Sequence, residues 1–371
     1  MKKFLTAVLI ALLLLIIATA IIQNTEIYTA SSKITEQEIA EYSNYYFDKL
    51  NSNEKNMYAK LDKAVKAKKP EVIFFCDSKV EETKEATRVI TSYFYDNPEY
   101  YYISNSYTMK IMDFKLFKCI VLKLDYIVDK SQIEIKNQEL ELAITDILNS
   151  VISSNMSDFE KELAIHDALA KKVKYYEFNE VEKIPGLKHT AYGALVEKEA
   201  VCDGYSKAFK LLLDRVNVES IIINGEAEKV AHAWNLVKLD NNYYNVDLTS
   251  NNVKDKFNKY VTHTYFNVTD EFIAKTHKRD TEFEHPACTQ EKYNYYKYKG
   301  LYIDYDENTY TKLKKILSTN KGDVLELQLD ERYHVQTIVD TLYSLNFGSW
   351  KSQNKKSVSY NKLENTYIFI K

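Results

Sequence analysis

Apolar positions along this chain recur in three rhythms. From Tyr205 they fall at Ala208, Phe209, Leu212 and Leu213, the stripe of a helix packed on a core. The stretch "AVCDGYSKAFKLLLDRV" (200–216) therefore predicts a helix with Cys202 at or just before its first turn. Strand-like runs follow in "VESIII" (218–223), "HAWNLVKL" (232–239) and "YYNVDL" (243–248). If Asp240 and Asn241 make a two-residue turn, Leu239 pairs with Asn242 and Trp234 with Asp247. His232 then shares a face with Asp247, a diagonal neighbour about 7 Å away at the backbone. A slip of one residue would put the two on opposite faces. The third rhythm is unbroken: "FLTAVLIALLLLIIATAII" runs from Phe4 to Ile22 without a charge, behind Lys2 and Lys3.

A helix of about 20 apolar residues spans a bilayer, and leading lysines keep the N-terminus inside. Ala18, Thr19 and Ala20 resemble a signal-peptidase site but sit inside the apolar run. Residues 1–24 are therefore expected to be an uncleaved signal anchor, with the bulk of the chain extracytoplasmic; cleavage there would instead make it a secreted protein. Residues 33–150 form an N-terminal accessory α+β region. Thr35 with Glu38 and Ser78 with Glu81 have capping-box spacing, Asn97-Pro98 ends the second of these helices, and 118–128 reads as a strand before a helix over 136–152. Residues 151–285 hold the candidate chemistry, opening with a helix capped by Ser157 and Glu160. Residues 290–371 form a small C-terminal α/β unit, with strands in "GLYIDY", "DVLELQL" and "NTYIFI" and helices over 309–317 and 334–345. Helices first and strands after suggest α+β with an antiparallel sheet.

The chain has 371 residues and a net charge of −3, with no block of concentrated positive charge, so nucleic acid is not expected as a partner. It is rich in Lys, Asn, Ile and Tyr and poor in Gly and Pro, which suits a bacterial gene of low GC content. Cys76, Cys119, Cys202 and Cys288 form no C-x-x-C pair, and His263, His277 and His285 are too widely spaced for a metal set. No cofactor is expected. The tyrosine clusters at 98–103 and 293–302 read as core and sheet surface, and the lysine-rich stretch 60–69 as a solvated helix face.

A cysteine at a helix N-terminus has a purpose that a buried thiol lacks. Free amides and the macrodipole favour an anion there, so the thiolate fraction rises. The Cys202 N–H is placed to donate to a developing oxyanion. His232 supplies a proton carrier, and Asp247 in this register can hold its ring. Tyr176 and Tyr192 are candidates for a second oxyanion donor. Trp234 and Asn235 read as packing and hydrogen-bonding support, and His166 as structural.

The blocks "AVCDGYSKAF", "HAWN" and "YYNVDLT" resemble the transglutaminase-like superfamily of papain-type cysteine enzymes, with the good match over about 160–280. The resemblance implies a papain/transglutaminase-like α+β core, a helix carrying the cysteine packed on an antiparallel sheet. It also implies a triad of Cys202, His232 and Asp247. Two departures stand out: Lys198 and Glu199 where a glycine is common, and Leu248 to Asn252 where many members carry an aromatic or acidic run. The expected activity is that of a membrane-anchored peptidase or amidase acting on proteins or peptides at the cell surface or wall. The alternatives are a protein-glutamine acyltransferase and a catalytically silent surface module.

Overall fold

A computed structural model describes residues 34–76, 82–104, 106–113, 118–177, 185–251, 261–320, 324–345, 347 and 359–370. The expected anchor over 1–24 and the Ser78–Glu81 capping pair lie outside these residues. Among the described residues no helix is long and apolar enough to cross a membrane.

The chain forms two compact units. The first takes residues to Leu142 together with Glu180–Tyr192. Its elements are α1 (Glu36–Ile39), α2 (Tyr45–Asp48), α3 (Ser52–Lys66), β1 (Glu71–Cys76), α4 (Glu82–Asp96), β2 (Thr108–Asp113) and β3 (Lys118–Lys123). The capping box of Thr35 and Glu38 is present, and Asn51 with Glu54 makes another. Helix α4 stops at Asp96, just ahead of Asn97-Pro98, as expected. The strand expected at 118–128 forms β3, but it is the centre of an antiparallel sheet ordered β1-β3-β2. Strand β1, "EVIFFC", is an apolar run without alternation, which periodicity cannot tell from a buried helix. Tyrosines build this core: Tyr58, Tyr93 and Tyr101 are buried, and the Tyr93 hydroxyl donates to buried Asp62 at 3.1 Å.

Helix α5 (Ile133–Val151) leads into the second unit, which takes Ala143–Asn179 and Gly193–Lys371. There follow α6 (Asp158–Lys172), β4 (Lys174–Tyr175), α7 (Ala191–Leu195), β5 (Glu199–Ala200), α8 (Cys202–Arg215), β6 (Ser220–Ala227), β7 (Val230–Leu239), β8 (Asn242–Val246), α9 (Asp270–Ile273) and β9 (His277–Arg279). The sheet β8-β7-β6-β9 is antiparallel throughout. Helix α8 lies against β6 and β7, with Tyr205, Ala208, Phe209, Leu212 and Leu213 fully buried. The last part of the chain builds α10 (Tyr295–Lys299), β10 (Tyr302–Ile303), α11 (Thr309–Thr319), β11 (Val324–Leu329), α12 (Val335–Ser344), β12 (Ser359–Leu363) and β13 (Thr366–Ile370). Its sheet runs β10-β11-β13-β12, with β10 parallel to β11 and the other pairs antiparallel. Leu313, Leu327, Ile338, Leu342 and Phe369 close its core. The protein is α+β, as the order of elements implied.

Strand β9 was not foreseen, and a single glycine lets it dock. Gly225 pairs with His232 on one side and Arg279 on the other. A Cβ there would stand 2.1 Å from the Lys278 carbonyl oxygen and 2.8 Å from the Trp234 ring. The nearer atom is backbone and cannot move without parting the strands. Gly225→Ala is expected to destabilise the protein by about 2 kcal/mol through overpacking. Chemical denaturation at neutral pH checks this, and an unchanged midpoint would refute it.

Candidate active site

Cys202 is the first residue of α8, and the N-cap residue Val201 offers no side chain to the helix-end amides. The amides and the dipole are thus left to act on the sulfur. The thiol is partly exposed, unlike Cys119 and Cys288, which are buried; all three are unbridged. Burial, and then the nearby Asp270 charge, push the Cys288 thiol up to about 12.

The β7–β8 hairpin has the register expected. Asp240 and Asn241 take φ values of 47° and 64°, the left-handed pair of a type I′ turn, and Leu239 pairs with Asn242 through to Asn235 with Val246. His232 Nε2 therefore reaches Asp247 Oδ2 at 2.9 Å. The ring also lies within hydrogen-bonding reach of the Cys202 sulfur. With Nε2 taken by the carboxylate, Nδ1 is the nitrogen left for the thiol. The structure thus brings Cys202, His232 and Asp247 into one line. Asn235 ties β7 to α8, its Nδ2 donating to the Ser206 carbonyl at 3.1 Å. Trp234 packs beside the His232 ring and donates to Asn245 Oδ1 at 3.2 Å.

Burial of His232 works against the imidazolium, but the charge and hydrogen bond of Asp247, with the sulfur of Cys202, outweigh it and lift its pKa to about 10. Asp247 is fully buried, which alone would raise it, yet the imidazoles of His232 and His277 hold it well below the usual carboxylate range.

Residues 145–248 match the model of the transglutaminase-like superfamily, and this stretch contains all three side chains. Residues 145–248 are a transglutaminase-like domain. No curated protein matches the chain. Among solved structures, a TGase is 12% identical, covers 50% of this chain and 52% of its own, and has a TM-score of 0.28. A provisionally named cysteine protease from Cytophaga hutchinsonii is 14% identical, covers 39% of this chain and 62% of its own, and has a TM-score of 0.24. The chain thus spans about half the length of the TGase. Likeness at this level carries no weight for function.

Within the transglutaminase-like domain, the departure at Lys198 has a backbone explanation. Lys198 holds φ at 59°, a conformation glycine adopts freely. Tyr175 joins Tyr176 as an oxyanion candidate. The two-residue parallel pairing of β4 with β5 sets Tyr175 opposite Ala200, just ahead of Cys202. Burial, then the charges of Cys202 and Asp247, push the Tyr175 hydroxyl up to about 12. The Tyr192 hydroxyl is taken by Lys136 and Glu139.

Sequence reasoning also passed over His277. Its Nε2 lies 2.9 Å from Asp247 Oδ2, the same oxygen that His232 uses.

Among the described residues two groups have the donor atoms to ligate a metal: His166, Asp167 and His263, and His232, Asp247 and His277. In the first, hydrogen bonding occupies each ligand atom. Asn251 Oδ1 accepts from the Tyr265 N–H, so its Nδ2 donates to His166 Nε2, which puts the His166 proton on Nδ1 facing Asp167. His263 places its nitrogens on Asp167 and Glu326 at 3.0 and 2.9 Å. In the second, Asp247 Oδ2 already takes both rings.

The shifts fix a sign. The His232 pKa lies above its ordinary value, so stability from the pair is full below about pH 6.5 and is lost as pH rises toward about 10. The Asp247 pKa is depressed, so its share is present above its ordinary value and lost on acidification. Urea midpoints measured from pH 7 to 10 are expected to fall in the native protein and to be flatter in Asp247→Asn. Parallel curves would show that the pair is not ionised as described.

Proposed function

We propose that this protein is a cysteine enzyme acting on amide bonds of proteins or peptides through Cys202, His232 and Asp247. The observation carrying this reading is the line from a partly exposed sulfur at a helix N-terminus, through one imidazole, to a buried carboxylate. The Cys202 thiolate attacks the carbonyl carbon and the C=O π electrons move to oxygen. The Cys202 N–H, with the Tyr175 phenol as candidate second donor, faces that oxyanion. As the tetrahedral adduct collapses, the C–N bond breaks and the His232 imidazolium gives its proton to the leaving amine. Water then attacks the thioester while His232 takes its proton; the acid leaves and the thiol–imidazole pair is restored. Asp247 holds the ring throughout.

Hydrolysis is preferred to transfer because the His232 side chain is 12% exposed, which leaves water a route to it. The proposed setting is the outer face of a bacterial membrane, with residues 1–24 as anchor and a surface or wall protein or peptide as substrate. The uncharged run behind Lys2 and Lys3 supports it.

Iodoacetamide near neutral pH is expected to label Cys202 in preference to Cys119 and Cys288. Cys202→Ala should lower amide turnover by at least about 10³-fold with an unchanged melting temperature. A glutamine peptide offered with a labelled amine should release ammonia or be cleaved without taking up the amine. Amine incorporation would make the enzyme an acyltransferase. Turnover surviving in Cys202→Ala would remove the triad altogether.

A further inference from the structure

Asp247 carries more than the reaction just described requires. Its Oδ1 accepts from the Thr249 and Ser250 amides at 2.9 and 3.1 Å, and its Oδ2 from His232 and His277 at 2.9 Å each. His277 lies beyond the matched stretch 145–248, on β9. We propose that His277 is a positioning residue for the triad: its Nε2–H pins Asp247 Oδ2 and divides the carboxylate's charge between two rings. This rests on the Cys202–His232–Asp247 reading and extends it.

The proton assignment follows from the partners. An ionised carboxylate has no proton to give, so an imidazole nitrogen 2.9 Å from it must be the donor. The other nitrogen, Nδ1, meets Thr276 Oγ1 at 2.8 Å, and that hydroxyl meets the Tyr265 hydroxyl at 3.1 Å. His277 therefore donates at Nε2. The ring is buried, edge-on to Trp234 at 5.2 Å and 5.3 Å from Tyr265. Its place is set by the pairing of Ala227 with His277, which the absent side chain of Gly225 permits.

Two consequences follow. With Oδ1 held by backbone and Oδ2 by His277, the carboxylate cannot turn when His232 gives up and regains its proton. A donor on Oδ2 also offsets part of the negative charge that would otherwise bear on His232 and, behind it, on the Cys202 thiolate. The ionisable groups facing this centre are His232 from β7, Cys202 from α8, Tyr175 from β4 and Tyr265 from the loop before α9.

The alternative is a core histidine whose one polar atom happens to be satisfied. The pH profile of Cys202 alkylation by iodoacetamide separates the two without a known substrate. It is to be read on the full chain as native protein, His277→Leu and His277→Gln, with melting temperatures alongside. Leu removes the donor, whereas the Gln amide can replace it. In His277→Leu the undivided Asp247 charge opposes the thiolate and favours the imidazolium. Both inflections of the profile should then move to higher pH, by about half a unit or more. In His277→Gln both should return to within about 0.2 unit of native. Unmoved inflections in His277→Leu, with a lowered melting temperature, would reduce His277 to packing and overturn the proposal. A native profile with the single inflection of an ordinary thiol would instead overturn the Cys202–His232 pair, and this inference with it.

Discussion

A carboxylate sealed from solvent survives as an anion only if donors take up its lone pairs. Asp247 is that group here, with no exposed surface and four donors. They come from separate places: one ring on β7, one on β9, and two amides of the chain just past β8. Each must arrive at the right register, so one buried charge constrains the whole sheet. The left-handed turn at Asp240 and Asn241 fixes β8 against β7, and Gly225 lets β9 close on β6. Losing any one donor would leave a buried charge under-solvated, a larger penalty than the bond itself repays.

The cysteine is positioned by different means. Helix α8 is held by its apolar stripe, and the Asn235 side chain locks it to the strand that bears His232. The sulfur needs no partner of its own beyond that ring. The uncapped end of α8 supplies the positive field, and burial of the other two described thiols keeps them protonated and out of reach. Of these three cysteines, only Cys202 is left with access to solvent.

What the sequence disclosed divides along the same line. Local features were legible: the helix stripe from Tyr205, the capping boxes at Thr35 and Ser157, the I′ turn and the His232–Asp247 diagonal it implies. Each depends on residues within fifteen positions of one another. Elements made by distant pairing were not. Strand β9 is only His277–Arg279, too short to show a period, and exists because β6 accepts it across a glycine some fifty residues earlier. His277 was therefore dismissed for its spacing, although in space it touches the same oxygen as His232.

A second buried histidine cluster shows why the reactive one is where it is. His263 is flanked by Asp167 and Glu326; burial disfavours its charge, but the two carboxylates raise it to about 9. Its ring stacks on Tyr295 at 3.7 Å, and both nitrogens are engaged. Burial instead lowers His166, whose hydrogen bonds to Asp167 and Asn251 suit a neutral ring. Through Glu326 this network fastens β11 to α6, so the C-terminal sheet is bound to the transglutaminase-like domain by an ion pair as well as by apolar packing. Both clusters hold strongly shifted imidazoles against carboxylates, so a shifted pKa alone does not distinguish chemistry from architecture. The distinction lies in the second nitrogen. On His263 a carboxylate has taken it, and a proton there is locked in place. On His232 it faces the Cys202 sulfur, beside a surface that solvent reaches.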